Sequence, residues 1–286
     1  MKLFKVLRYD MQRNKFNFIK YLLLTCVAFS FFYLLFVFDS FHQFAYFLTG
    51  PDRINELNLS FGDGVLFELG GSLFLPNNSE KRGITFPAVF FLSNILVLYF
   101  TLNYHIDDLN HGGIQIFTRL GNMKTWWHSK CILNIITVIT YYVLGFIIFG
   151  FFCFINNKAM SLQPNTDVFF ARFHAIYKPV SDWKLFIAFF IQPTVVVLCL
   201  SILQMTLTLF IKPVYAFTAI CIYIMLGVFF VNPAFLSNYA MPLRSSAIGI
   251  YNFDFLSCFL ICLVIIILSI VTGQKRASCM DILGMR

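Results

Sequence analysis

Three histidines and two aspartates lie close together in the sequence and have the side chains that bind metal ions. They are His105, Asp107, Asp108, His111 and His128. Imidazole nitrogens and carboxylate oxygens are common ligands of zinc and other divalent metals. A glycine pair, Gly112-Gly113, interrupts the stretch, so the spacing does not place these side chains on one helix face. We therefore expect polar residues at helix ends near a membrane surface, and no metal site.

The sequence also lacks the usual signs of membrane-embedded catalysis. Ionisable residues inside apolar segments usually serve a function, because a charge in the membrane interior is costly. The apolar segments of this chain contain almost none, and Asp39, Lys184 and Asp254 fall at their outer boundaries. Zinc-protease, serine-hydrolase and phosphate-loop motifs are missing from the sequence. We expect no catalytic residue and no cofactor bound by this chain.

The composition indicates an all-α, polytopic integral membrane protein that forms a single transmembrane domain. Hydrophobic residues make up 59% of the 286 residues and charged residues only 12%, whereas soluble domains have roughly a quarter charged residues. About 20 apolar residues are needed to cross a membrane as a helix. Six segments of about that length are predicted to do so: 19–38, 84–103, 131–155, 185–211, 214–231 and 255–272.

Lysine and arginine placement predicts the orientation, because basic loops remain on the cytoplasmic side. With both termini inside, the inner segments hold 13 of the 21 basic residues and four of the 13 acidic ones. Residues 1–18 are expected to form an amphipathic helix on the inner membrane surface. The bases flank membrane spans, so anionic lipid is the expected partner and nucleic acid is not.

Three segments are predicted to lie on the outer side of the membrane. They are residues 39–83, 156–184 and 232–254. The first is long and rich in turn signals, which favours a solvated connector, with a lid over an outward cavity as the alternative. The third is too apolar for a free loop and is broken by Pro233, Pro242 and Gly249. Short broken helices at the outer surface are therefore expected before the last span.

The stretch between the second and third spans predicts a short amphipathic helix in the cytoplasm. Gly112 and Gly113 end the preceding helix, and Gly121 ends the short one. Its apolar side consists of Ile114, Ile116, Phe117 and Leu120, and its polar side of Gln115, Thr118 and Arg119. The residues that follow, Lys124, Trp126, Trp127 and Lys130, are expected to anchor the start of the third span at the membrane interface.

This arrangement resembles the permease subunit of type-2 ABC exporters. The resemblance in architecture covers essentially the whole chain. Its most specific part is the stretch 118–130, Thr-Arg-Leu-Gly-Asn-Met-Lys-Thr-Trp-Trp-His-Ser-Lys. It is similar to a stretch in Gram-positive permeases linked to bacteriocin or antimicrobial-peptide export and self-immunity.

The resemblance implies that residues 114–120 are a coupling helix seated in a groove of a separate ATP-binding subunit. Two such subunits would hold ATP and Mg²⁺, and a second copy of the chain or a related permease would complete the transporter in the bacterial cytoplasmic membrane. The 38 phenylalanines suit an amphipathic peptide or lipid-like substrate. Two alternatives stay open: a membrane sensor or partner-binding protein that transports nothing, and a membrane-embedded enzyme that processes lipid or peptide.

Overall fold

The computed structural model describes residues 15–47, 59–72, 86–102 and 123–279, with the exception of residues 174, 249, 250 and 252. The predicted coupling helix at 114–120 lies outside the described residues, as do its flanking glycines Gly112, Gly113 and Gly121. Most of the predicted N-terminal interfacial helix lies outside them as well. These parts of the sequence interpretation stay predictions.

Within the described residues every regular element is a helix, and the only strand-like features are two isolated bridges. We number nine α-helices in chain order. They are α1 (Lys15–Phe47), α2 (Phe61–Leu69), α3 (Ala88–Leu102), α4 (Met123–Ile155), α5 (Thr166–Phe173), α6 (Asp182–Leu207), α7 (Pro213–Phe229), α8 (Leu236–Tyr239) and α9 (Phe255–Ser278). A 3-10 turn at Pro242–Arg244 lies between α8 and α9. The prediction of an all-helical protein is confirmed for this part of the chain.

All six predicted apolar segments contain a helix, and four of these helices are long and apolar enough to cross a membrane. The four are α1, α4, α6 and α9; most of the apolar stretch is exposed in α1, α4 and α9 and buried in α6. Helices α3 and α7 have 15 and 17 residues, shorter than the roughly 20 that a span needs. The structure therefore fits a membrane protein, and the count of six spans stays a prediction.

Helix α6 lies at the centre of the bundle and contains a turn of π-helix at Ile187–Ile191. Pro193 follows immediately. A proline has no backbone N–H to donate to the preceding turn, so the helix must widen or kink beside it. Helices α3, α4, α7 and α9 all pack against α6. Most of its apolar stretch is buried, while α9 is exposed along most of its length.

Glycines allow close helix contacts at two places in the bundle. At Gly145 of α4, an added Cβ would lie 2.2 Å from the Phe29 ring of α1. At Gly273 of α9, it would lie 2.1 Å from the Trp127 ring at the start of α4. Both distances are too short for any side chain, so the two aromatic rings occupy space that only glycine leaves free.

The first outer segment differs most from its prediction as a solvated connector. Its helix α2 is buried at eight of nine positions and packs against α1, α3, α4, the π-turn of α6 and the 3-10 turn. Gly62 and Gly64, which resemble turn residues in the sequence, are packing positions. An added Cβ at Gly62 would lie 2.2 Å from the Leu162 carbonyl oxygen, and one at Gly64 would lie 3.1 Å from the Phe149 ring.

The described acidic residues are confined to one end of the bundle, whereas basic residues lie at both ends. At one end the start of α4 meets the last turns of α6 and α9, and the start of α1 meets the end of α3. This basic end carries Lys20, Lys124, Lys130, Lys212, Lys275 and Arg276. All six described acidic residues belong to the opposite, acidic end: Asp39, Asp63, Glu68, Asp167, Asp182 and Asp254. The acidic end also contains α2, α5, α8 and the 3-10 turn.

Candidate functional site

Helix α2 brings two carboxyl groups into the interior of the acidic end. Asp63 and Glu68 are each only 3% exposed. The sequence interpretation, that the apolar segments contain almost no ionisable residue, does not cover these two carboxyl groups. That interpretation considered only the six apolar segments, and α2 lies between two of them in the sequence.

Asp63 fixes the start of α2 and connects it to the segment before α5. One carboxylate oxygen accepts hydrogen bonds from the backbone N–H and the hydroxyl of Ser60, at 2.8 and 2.9 Å. The other oxygen accepts from the backbone N–H of Asn165 at 3.1 Å. Burial raises the pKa of Asp63 to about 6, and the hydrogen bonds from Ser60 and Asn165 oppose that rise. The Ser60 contacts are those of a helix cap and the Asn165 contact joins two segments, so Asp63 has a structural role.

Asp39 and Arg172 form an ion pair that joins α1 to α5 near α2. The Arg172 guanidinium also lies over the Phe67 ring of α2, 4.4 Å from its centroid. Burial lowers the pKa of Arg172 below its ordinary value, while the nearby Asp39 and Asp63 carboxylates raise it. Three elements of the acidic end are therefore connected through one arginine.

Arg244 of the 3-10 turn is fully buried, and all five of its N–H donors have an acceptor. The acceptors are the carbonyl oxygens of Ser72, Gly227 and Val228, the Ser72 hydroxyl and the Asn238 side-chain oxygen. Gly227 and Val228 belong to the last turn of α7, where carbonyl groups have no partner within the helix. Burial lowers the pKa of Arg244 to about 10, so the side chain stays charged at neutral pH. It closes the end of α7 and holds the segment that follows α2.

Glu68 has no comparable partners. Its Oε1 atom is fully shielded from solvent and has no hydrogen-bond partner among the described residues. Burial raises the pKa of Glu68 well above its ordinary value, with no opposing charge or hydrogen bond. Burial therefore favours the neutral, protonated form of Glu68 over the carboxylate.

The hydroxyl groups of two α4 tyrosines lie near Glu68. Its carboxyl lies close enough to the Tyr141 and Tyr142 hydroxyls to interact with both electrostatically. Those hydroxyls donate elsewhere, to the Ser93 carbonyl at 2.8 Å and to the Asn94 side-chain oxygen at 3.0 Å. We call these five residues the Glu68 cluster. It is a buried polar site whose tyrosines are already engaged and whose carboxyl is not.

An apolar groove runs along α4 next to this cluster. Its two parts enclose about 560 and about 420 Å³ and share Phe146 and Ile147. Phe61 of α2 and Met160 line the first part, and Tyr142 lines the second. Tyr142 therefore belongs both to the lining of the groove and to the Glu68 cluster. An apolar chain fits such a groove, and a polar head group fits the cluster behind it.

The four predicted interface anchors all lie at the start of α4. Trp126 and Trp127 are 1% and 0% exposed, and Lys130 is also buried. The Trp127 indole N–H donates to the Ile270 carbonyl of α9 at 3.1 Å. The two indoles are therefore held by protein contacts in the described bundle, and their anchoring in lipid stays a prediction. Lys124 is more exposed than Lys130.

The sequence interpretation missed Glu68, Arg172 and Arg244 as interior residues. A signal for α2 was present, because Ser60-x-x-Asp63 before the apolar run Val65 to Phe67 is the pattern of a capping box. Among the described residues no three His, Cys, Asp or Glu side chains are grouped to hold a metal ion. His105 and His111 lie outside these residues.

Comparisons of this chain with protein-family models, with curated proteins and with solved structures found no match.

Proposed function

We propose that this protein is the permease subunit of an ATP-driven, type-2 ABC exporter. ATP and Mg²⁺ would be bound by a separate pair of ATP-binding subunits, and two permease chains, identical or related, would form the transmembrane path. The protein would lie in a bacterial cytoplasmic membrane with both termini inside. The substrate would be an amphipathic peptide or a lipid-like molecule, as in bacteriocin export or self-immunity.

The observation that carries this proposal is the fixed junction at the basic end of the bundle. Residues 103–122, which include the predicted coupling helix, connect the end of α3 to the start of α4. Trp127 attaches that start to α9 through its hydrogen bond to Ile270 and its close packing on Gly273. A displacement of residues 114–120 by an ATPase would therefore pass directly to α4 and α9.

The charge distribution supports the proposed orientation. Every described residue with a carboxylate side chain belongs to the acidic end, and the basic end has lysines and arginines without a described acid. Basic residues are retained on the cytoplasmic side of membranes. The basic end is therefore assigned to the cytoplasm, where an ATP-binding subunit would contact residues 114–120.

The groove along α4 supports the proposed class of substrate. It is lined mainly by aromatic and aliphatic side chains and is open at the side of the bundle. A molecule with an apolar chain could reach it from the membrane without crossing water. The Glu68 cluster behind it supplies polar groups for the other end of such a molecule.

Association with an ATPase tests the proposal through the coupling helix. The tagged protein is purified from native membranes in mild detergent, as wild type and as Phe117→Asp, Leu120→Asp and Thr118→Asp. A stoichiometric ATP-binding subunit is expected with the wild type and with Thr118→Asp, where the new charge falls on the polar side. It is expected to be lost in the other two variants, because a carboxylate replaces an apolar contact in the groove of the ATPase.

Melting curves of the four proteins provide the control for folding. Similar melting temperatures would show that the loss of association is not caused by unfolding. If no ATP-binding subunit accompanies the wild type, or if all three variants retain it equally, the proposal is contradicted.

A further inference from the structure

Glu68 differs from the other ionisable groups buried at the acidic end, because the fold does not satisfy it. Asp63 accepts three hydrogen bonds, Arg172 pairs with Asp39, and all five donors of Arg244 are used. Glu68 Oε1 is buried without a described partner. An isolated buried carboxyl costs stability, so its presence requires a reason outside the packing of α2.

On the described elements around α2, no charged group pairs with Glu68. Helix α1 contributes Asp39, which is paired with Arg172, and Tyr33, which accepts a hydrogen bond from Asn156. Helix α4 contributes Tyr141 and Tyr142, both of which donate elsewhere. The 3-10 turn contributes Arg244, which is fully bonded. The described parts of α3 and of the π-turn bring Ser93 and Asn94 but no charged residue near α2. Among the described residues no cation pairs with the Glu68 carboxyl, and a cation is the complementary ligand for a buried carboxylate.

The groove indicates how such a cation would arrive. Phe61 lines the groove, and Glu68 follows it by seven residues, two turns along the same face of α2. Tyr142 lines the groove and is close enough to the Glu68 carboxyl to interact with it electrostatically. Aromatic rings also attract cations through their faces, so the lining of the groove does not oppose the passage of a positive group.

We propose that Glu68 and the groove along α4 bind an ammonium-bearing amphiphile, with its apolar chain in the groove and its cationic head at the Glu68 carboxylate. This inference names the substrate class of the proposed exporter and so rests on that proposal, although binding itself does not require the ATPase. The carboxyl proton is released to solvent when the ammonium group arrives. Protonated Glu68 becomes a carboxylate paired with the ligand, and the net charge inside the site is unchanged.

Binding therefore depends on pH in a defined direction. At low pH the ligand competes with a proton that Glu68 holds tightly, so the affinity is low. As the pH rises toward the pKa of Glu68, removing that proton costs less and the affinity for a permanent cation increases. A quaternary ammonium probe keeps its charge throughout, so the change reports on the protein.

Labelling by dicyclohexylcarbodiimide tests the proposal directly. This apolar reagent reacts with protonated carboxyl groups in apolar surroundings, and mass spectrometry locates the modified residue. The purified protein in a neutral maltoside detergent is labelled alone, with dodecyltrimethylammonium and with dodecanol. We expect Glu68 to be labelled, and the cation to slow that labelling about 10- to 100-fold, because an adjacent positive charge favours the carboxylate over its protonated form by about that factor. Dodecanol, with the same chain and no charge, should have little effect.

Two variants separate the parts of the site. Glu68→Gln keeps the shape of the side chain and removes the carboxyl, so labelling at this position should disappear while the fold is retained. Ile147 is 60% exposed and lines both parts of the groove. Ile147→Trp should fill the groove without disturbing the core and weaken protection by the cation about tenfold.

The outcomes are distinct from those of the ATPase experiment. No labelling of Glu68, or equal protection by dodecyltrimethylammonium and dodecanol, would overturn the proposed site. If the cation protects Glu68 in a protein that never associates with an ATPase, the proposed binding site is supported and the proposed exporter function is contradicted. If the protein associates with an ATPase but the cation does not protect Glu68 from labelling, the exporter function is supported and the proposed substrate class is contradicted.

Discussion

Replacing Arg244 by lysine tests how strongly this side chain holds the acidic end together. Arginine uses all five of its donors here, whereas lysine has only three. At least two buried acceptors would therefore lose their partners. Each such loss costs about 1–3 kcal/mol, so Arg244→Lys should destabilise the protein by about 2–6 kcal/mol. For a chain of this size that corresponds to a fall in melting temperature of roughly 5–20 °C.

Arg276 provides the matched control for this experiment. Its exposed guanidinium makes one long hydrogen bond, 3.4 Å from the Leu209 carbonyl, and lies 5.5 Å from the Phe210 ring centroid. Arg276→Lys should therefore change the stability by about 0.5 kcal/mol or less. Melting is followed in detergent by the loss of monodisperse protein after heating. If the two lysine variants melt within about 2 °C of each other, the buried carbonyls have found other partners and the reasoning about Arg244 is wrong.

Two further predictions concern Gly273 and Asp63. Gly273→Ala should lower the stability by about 1–3 kcal/mol in the same melting assay, because the new methyl group would lie 2.1 Å from the Trp127 ring. Gly150→Ala is the control, because it gains the same helix propensity and its nearest atom is 3.6 Å away. Equal effects of the two substitutions on stability would contradict the close contact at Gly273. Folding raises the pKa of Asp63 from 3.8 to about 6, so about 3 kcal/mol of stability is present below pH 3.8 and is lost as the pH rises through about 6. Asp63→Asn should flatten that part of the pH profile of the melting temperature, and an unchanged slope would show that Asp63 does not titrate there.

The helices of the bundle could be predicted because their signal is local. A run of about 20 apolar residues indicates a helix wherever it packs, and each of the six predicted segments contains one. Their boundaries were less predictable. Helix α4 begins at Met123, eight residues before the predicted start at Cys131. The predicted apolar segment 131–155 does not include Lys130. In the structure, contacts with other elements bury Lys130.

The interior of the acidic end could not be predicted from hydropathy. Helix α2 carries two glycines and two acids in nine residues, a composition that is typical of a loop. Arg244 lies in the third predicted outer segment, where a basic residue is expected to face water. Its partners in the structure are mainly backbone carbonyls, and no sequence pattern reveals them. Glu68 became a candidate only when its neighbours were known. What distinguishes it is the absence of a described partner, and that is a property of the packed structure.

The burial of α2 also constrains the order in which the helices of this protein pack together during synthesis. Helix α2 leaves the ribosome early, yet it packs against α4, the π-turn of α6 and the 3-10 turn, all of which follow it. The Ser72 groups that Arg244 holds are 172 residues before it in the chain. Helix α2, with its two carboxyl groups, must therefore remain unpacked at the membrane surface until nearly the whole chain has been inserted. We expect truncated chains that end before Arg244 to leave this segment open to proteases, even where their apolar helices are already in the membrane.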